Sequence, residues 1–147
     1  MAKVDSIAVL NRLAAIEHRS LAMYLVDACP WRRAGDEKEA VLLENIVTDQ
    51  RVMVERIAEL VLGRGGVLDL GEYPMDFTDT HDLSLDYLMR ELLRLQKLMI
   101  PRLERLAELL ESVPHIDRPA HDLALEVLGS ERAHLEAIQE ICGQPAG

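Results

Sequence analysis

The chain predicts an all-α fold: an antiparallel four-helix bundle, up-down-down-up, with one long crossover between the second and third helices. Three observations carry this: four segments with apolar residues at helical spacing, two short connections, and one connection far too long to be a turn.

The first segment runs from about Asp5 to Ala28 with Leu10, Leu13, Glu17, Leu21 and Tyr24 on one stripe, and Pro30 stops it. The second opens at Asp36, where Asp36 and Glu39 fit a capping box. Its stripe is Leu43, Ile46, Gln50, Met53, Ile57 and Leu60, and it ends at Gly63. The third spans about Asp82 to Glu111, with Leu85, Leu88, Leu92, Leu95, Met99, Leu103, Leu106 and Leu110. The fourth begins at Pro119, a favoured first-turn residue, and carries Ala124, Leu128, Glu131, Leu135, Ile138 and Cys142 before Gly143.

Residues 29–35 and 112–118 are too short to run back along a helix of about 35–40 Å at 1.5 Å per residue. The first pair of helices is therefore antiparallel, and so is the last. The stretch from Gly63 to His81 holds Gly65-Gly66, Gly71 and Pro74 without periodicity and reaches roughly 60 Å when extended. It is long enough to cross the whole bundle. One domain, residues 1–147, accounts for the chain.

Composition agrees. Nearly half of the 147 residues are apolar, with only one Trp, one Phe and three Tyr, so aliphatic side chains and Met must build the core. A net charge of −10, with Arg and Lys interleaved among Glu as in Arg102-Leu103-Glu104-Arg105, argues against nucleic-acid binding. No apolar run approaches the ~20 residues of a membrane span, and Met1–Asp5 shows no export signal, so the expected compartment is the cytoplasm. Cys29 and Cys142 form no Cys-x-x-Cys motif, and free thiols are expected because the first and last helices are diagonal.

Polar residues stand where apolar ones belong: Glu17, Gln50, Glu131 and, beside Leu95 at the edge of its stripe, Gln96. Counted along their helices from the predicted ends, all four fall near the same level, about 18–22 Å in. Buried carboxylates need partners, so these side chains are expected to meet. Glu131-Arg132-Ala133-His134 is a Glu-x-x-His unit, whose two donors three residues apart share a helix face and can converge on one ion.

On these residues the chain resembles the ferritin-like superfamily, the bacterioferritin, ferritin and rubrerythrin kind. That resemblance implies a Glu on helices one and three and a Glu-x-x-His on helices two and four, together holding two metal ions. Glu17 matches on helix one; Glu131 and His134 match on helix four. Helix two departs, with Gln50 and Met53 in place of Glu and His; helix three offers Gln96 in place of its Glu.

The departures halve the anionic donors and put an amide and a thioether where hard cations want charge. Three readings follow: a working di-metal pair; one divalent ion (iron, manganese or zinc) held by Glu17, Glu131 and His134 with Gln50 assisting; or a metal-free cluster in which Gln50 and Gln96 donate to Glu17 and Glu131. The corresponding functions are an iron-handling or oxidoreductase protein and a non-catalytic dimeric interaction module, with a bundle binding a ligand near Gln50 and Met53 as a third. A homodimer is the expected assembly. A large storage cage is not expected, for want of a fifth helix beyond Cys142, although some cage-forming relatives also lack one.

His18, His81, His115 and His121 read as surface or capping residues, and Met23, Met89 and Met99 as core filler. Met53 and Met99 could flank a haem, though nothing singles them out. Trp31 is a candidate contact residue, and Pro101 inside helix three predicts a kink or bulge.

Overall fold

The computed structural model describes residues 5–28, 37–71 and 85–143, with the side chains at 27, 28, 85 and 86 left aside. The described residues form five helices and no strand: α1 Ser6–His18, α2 Leu21–Ala28, α3 Glu37–Gly63, α4 Leu85–Glu111 and α5 Arg118–Ile141. None is long and apolar enough to cross a membrane.

The predicted first helix is thus two helices. It breaks at Arg19-Ser20, between Glu17 and Leu21. The physical reason is a cap: the Ser20 hydroxyl accepts from the Met23 backbone N–H (3.1 Å), as an N-cap side chain does for the third residue of its helix. The other caps follow the same logic. Asp5 accepts from Ile7 N (3.0 Å) at the start of α1, and Asp117 caps α5 with Pro119 in the first turn. Gly143, with φ +71°, follows the last turn of α5. Helix α4 runs unbroken through Pro101. Asp36, Pro30, Trp31, Cys29 and His81 lie outside the described residues.

Two apolar clusters fix the topology. The lower one joins the start of α1 (Leu10, Leu13), the end of α3 (Ile57, Val61), the end of α4 (Leu103, Leu110) and the start of α5 (Ala120, Val127). The upper one joins α2 (Ala22, Leu25), the start of α3 (Ile46), the start of α4 (Leu88, Leu92) and the end of α5 (Ile138). Helices α1 and α2 therefore rise, α3 and α4 descend, and α5 rises: up-down-down-up. Helix α3 packs on α1, α2 and α5; α4 packs on α5, α1 and α2; α1 and α5 meet across the diagonal.

The crossover begins as the topology requires. Gly66 sits against Ile7, and Asn11 takes Val67 O (2.9 Å) and Asp69 N (2.9 Å) onto its amide. Gly71, at φ +66°, lies against the Arg19 guanidinium, so the segment climbs along the outside of α1. A side chain at Gly71 would meet both an unfavourable φ and that guanidinium. At the lower end Arg64 grips Asp117 with both terminal nitrogens (Nη2–Oδ1 2.6 Å), tying α3 to the α5 cap and holding the Asp117 carboxyl below its ordinary range.

Candidate metal site

Between the two apolar clusters lies one polar layer. Glu17, Gln50 and Glu131 have no exposed surface at all, and Ser20, Gln96 and His134 are buried. The three Glu and Gln side chains cluster as their spacing predicts, and His134 joins them. Gln96, expected at the edge of its stripe, is inside, whereas Leu95 is only half-buried; the helix faces the core about one residue further round.

Glu131 is the acceptor at the centre. Gln50 Nε2 donates to its Oε2 (3.2 Å), and Gln96 Nε2 donates to the same oxygen (3.3 Å) and to the Glu131 backbone carbonyl (2.9 Å). His134 Nδ1 meets Oε1 in a shorter contact. The Ser20 hydroxyl donates to Gln50 Oε1 (2.6 Å), which orients the amide so that its nitrogen faces Glu131. The cap that divides α1 from α2 is therefore also part of the site.

His134 uses both ring nitrogens. Nε2 meets Asp49 Oδ2 at 2.8 Å, at the protein surface. Burial pulls the imidazole pKa down, but Glu131 and then Asp49 outweigh it, and the pKa ends above its ordinary value. The ring lies between two carboxylates, which favour its protonated form.

Glu17 is the exception. Neither of its carboxylate oxygens has a hydrogen-bond donor. Gln50 and Gln96 both turn to Glu131, so the expected sharing of amides between the two carboxylates does not occur. Burial first, then repulsion from Glu131, raises the Glu17 pKa well above the carboxylate range, with a smaller push from Asp49. Without a cation, burial and Glu131 both favour the protonated form of Glu17.

Met53, one turn from Gln50, is half-buried against the lower cluster with its sulfur facing Arg56 Nη1 (3.9 Å), not Glu131. His18 is half-buried, His115 is exposed, and His121 bridges Glu111 (2.8 Å) and Asp122 at the α4–α5 corner. The Cys142 thiol points at Met89 O (3.8 Å). Two site residues escaped the sequence reading. Ser20 carried a signal, since it is a strong N-cap residue one turn beyond Glu17 on the same face. Asp49 carried none beyond its place next to Gln50.

A pair of hard cations does not fit this donor set, because the amides of Gln50 and Gln96 are engaged as donors to Glu131. Nor do three His, Cys, Asp or Glu side chains among the described residues already surround one point as ligands. What does suit one cation is the unsatisfied, fully buried carboxylate of Glu17 facing a second carboxylate with an imidazole beside it.

Bundle, crossover and mid-height polar layer define a class, the four-helix bundles that keep carboxylates and histidine at their centre. Among solved structures the chain is similar to a dodecameric thioferritin, the bacterioferritin-related protein of Bacteroides fragilis. The TM-score is 0.63 at 19% identity, over 94% of this chain and 86% of that one. The fold is ferritin-like. No protein-family model and no curated protein sequence matches the chain.

Proposed function

We propose that this chain is a ferritin-like bundle protein whose di-metal site is half lost and holds at most one divalent cation, at Glu17, Glu131 and His134 with Gln50 in support. The observation that carries the reading is the bare Glu17 carboxylate, sealed in the layer without a donor and set against Glu131. Burying two facing carboxylates is costly unless a positive charge or a proton lies between them. A divalent ion of the iron, manganese or zinc kind supplies that charge and prefers carboxylate with imidazole.

Iron handling or an oxidoreductase activity would use that single ion. A second reading is favoured by a different observation: the amides of Gln50 and Gln96 already satisfy Glu131. On that reading the layer is a metal-free polar cluster, Glu17 stays protonated, and the bundle serves as a non-catalytic interaction module.

Metal analysis of protein equilibrated with Fe(II), Mn(II) or Zn(II) separates the two. One ion per chain, lost in Glu17→Gln and accompanied by proton release on binding, supports the metal site. Stoichiometry near zero in the parent chain overturns it and leaves the metal-free cluster.

The protein is proposed to work in the cytoplasm as a homo-oligomer, with a homodimer as the starting expectation. The similar thioferritin is a dodecamer, so sedimentation equilibrium should test both sizes.

A further inference from the structure

We propose that Gln50 and Gln96 make the central layer selective for the charge of the ion it holds: it takes a divalent cation and rejects a trivalent one. This rests on the single-ion reading given above and narrows it, because iron held there stays ferrous. The two glutamines set the charge count, and Ser20 keeps one of them from changing its part.

Burial fixes the charge available. Among the described residues, Glu17 and Glu131 are the only buried side chains that can carry a negative charge. His134 coordinates only as the neutral imidazole. Asp49, on the far side of that ring, is 56% exposed and screened by water. Two buried carboxylates balance a divalent ion. A trivalent ion leaves one positive charge uncompensated between two apolar clusters, or must bring an anion with it. Such an anion would have to enter a layer where Glu17, Gln50 and Glu131 have no exposed surface.

The amides do not make up the difference. Gln50 Oε1 is taken by the Ser20 hydroxyl (2.6 Å). Gln96 turns its nitrogen to the Glu131 backbone carbonyl (2.9 Å), an atom that can only accept. Each amide also aims its N–H at Glu131 Oε2, at 3.2 Å from Gln50 and 3.3 Å from Gln96. Donors at that oxygen draw electron density from the carboxylate and make it a weaker base. A trivalent hard cation, which depends most on anionic oxygen, loses most by this. Glutamate at either position would supply both the missing charge and a free oxygen.

Anaerobic titration of the full chain with Mn(II) and Fe(II), with metal analysis after desalting, first counts the ions. A count near zero overturns the single-ion reading and this inference with it. With one ion per chain, the Fe(II)-loaded protein is exposed to air and desalted again. Electron paramagnetic resonance should then find ferric iron in under about a tenth of the sites, the rest being ferrous or released. Ga(III), a redox-inert trivalent ion supplied as its nitrilotriacetate complex, should not displace Mn(II). Ferric iron retained near one per chain, or Mn(II) displaced by Ga(III), overturns the charge selectivity while leaving the single-ion reading intact. Gln50→Glu and Gln96→Glu, checked for fold by circular dichroism, should each raise the affinity for Ga(III) relative to Mn(II) by roughly tenfold or more. An unchanged ratio in a folded variant overturns the role of the glutamines. Where a variant fails to fold, the measurements on the parent chain decide the question.

Discussion

Glu17 and Glu131 are the same residue at the same depth on diagonal helices, and the fold treats them in opposite ways. Glu131 receives Gln50, Gln96 and His134; Glu17 receives no donor. Both are wholly buried. The asymmetry originates in the helices between them. Gln50 on α3 and Gln96 on α4 each lie between the two glutamates, and each amide has turned toward α5. The Ser20 hydroxyl settles the matter for Gln50 by occupying the oxygen that would otherwise let the amide flip. One glutamate is thus a structural acceptor, and the other is left for a proton or a cation.

The largest test removes the acceptor. Glu131→Ala strands a buried imidazole and two amide donors at once, and breaking one partner out of a buried polar and ionic network costs about 3–5 kcal/mol. Urea denaturation should show the midpoint falling by that equivalent with an unchanged slope. A loss below about 1 kcal/mol would mean that the network around Glu131 is not what holds the layer together.

Ser20→Ala comes next. It deletes the α2 cap and frees the Gln50 oxygen, for about 1–2 kcal/mol together. Its sharper consequence concerns the comparison itself. With the Ser20 hydroxyl gone, Gln50 is no longer oriented and can donate to Glu17, so the Glu17 pKa should fall. If metal affinity and the Glu17 titration are both unchanged in this variant, Ser20 is a cap and nothing more.

How much of this asymmetry was legible in the sequence follows from what periodicity can and cannot encode. Stripes at helical spacing gave the helices, their levels and the meeting of Glu17, Gln50, Gln96 and Glu131, because burial along a helix depends only on rise and turn. The long glycine-rich connection gave the crossover. The break at Ser20 was hidden because Leu21 and Leu25 continue an apolar pattern through it, and a cap depends on one hydroxyl rather than on a period. Which glutamate the amides would choose was not readable either. It depends on side-chain rotamers and on Ser20, which spacing does not report.

Glu17→Gln is expected to act in the opposite direction from the first two substitutions. In the metal-free protein the folded-state pKa of Glu17 is raised by burial and by Glu131. A raised pKa contributes stability that is fully present below the ordinary carboxylate value, about 4.3, and is lost as pH rises through the folded value. The parent protein should therefore weaken on going from pH 4 upward through that raised pKa, and the variant should lack this loss. At pH 8 Glu17→Gln should be more stable than the parent by about 1 kcal/mol, with the gap closing toward pH 4. Thermal melts across this range in the presence of a chelator measure it. Saturating Mn(II) should remove the advantage by stabilising only the parent.

The smallest effect lies at the outer end of the network, where Asp49 meets His134 Nε2. Asp49 is 56% exposed, so its contact with the imidazole is screened by water and worth no more than about 0.5 kcal/mol. Stability is the wrong readout; titration is the right one. The His134 pKa is raised because Glu131 and Asp49 together outweigh the downward pull of burial. Asp49→Asn leaves Glu131 in place and should lower the His134 pKa toward, or below, its ordinary value of about 6.5, followed by the imidazole proton resonances against pH. As for Glu17, a raised folded pKa means stability present below the unfolded value and lost as pH rises through the folded one, so the variant should begin that loss earlier. An unchanged His134 titration would show that Glu131 alone holds the proton on the ring. In that case the polar layer would end at Glu131's own neighbours, and the surface carboxylate would have no part in the contrast between the two buried ones.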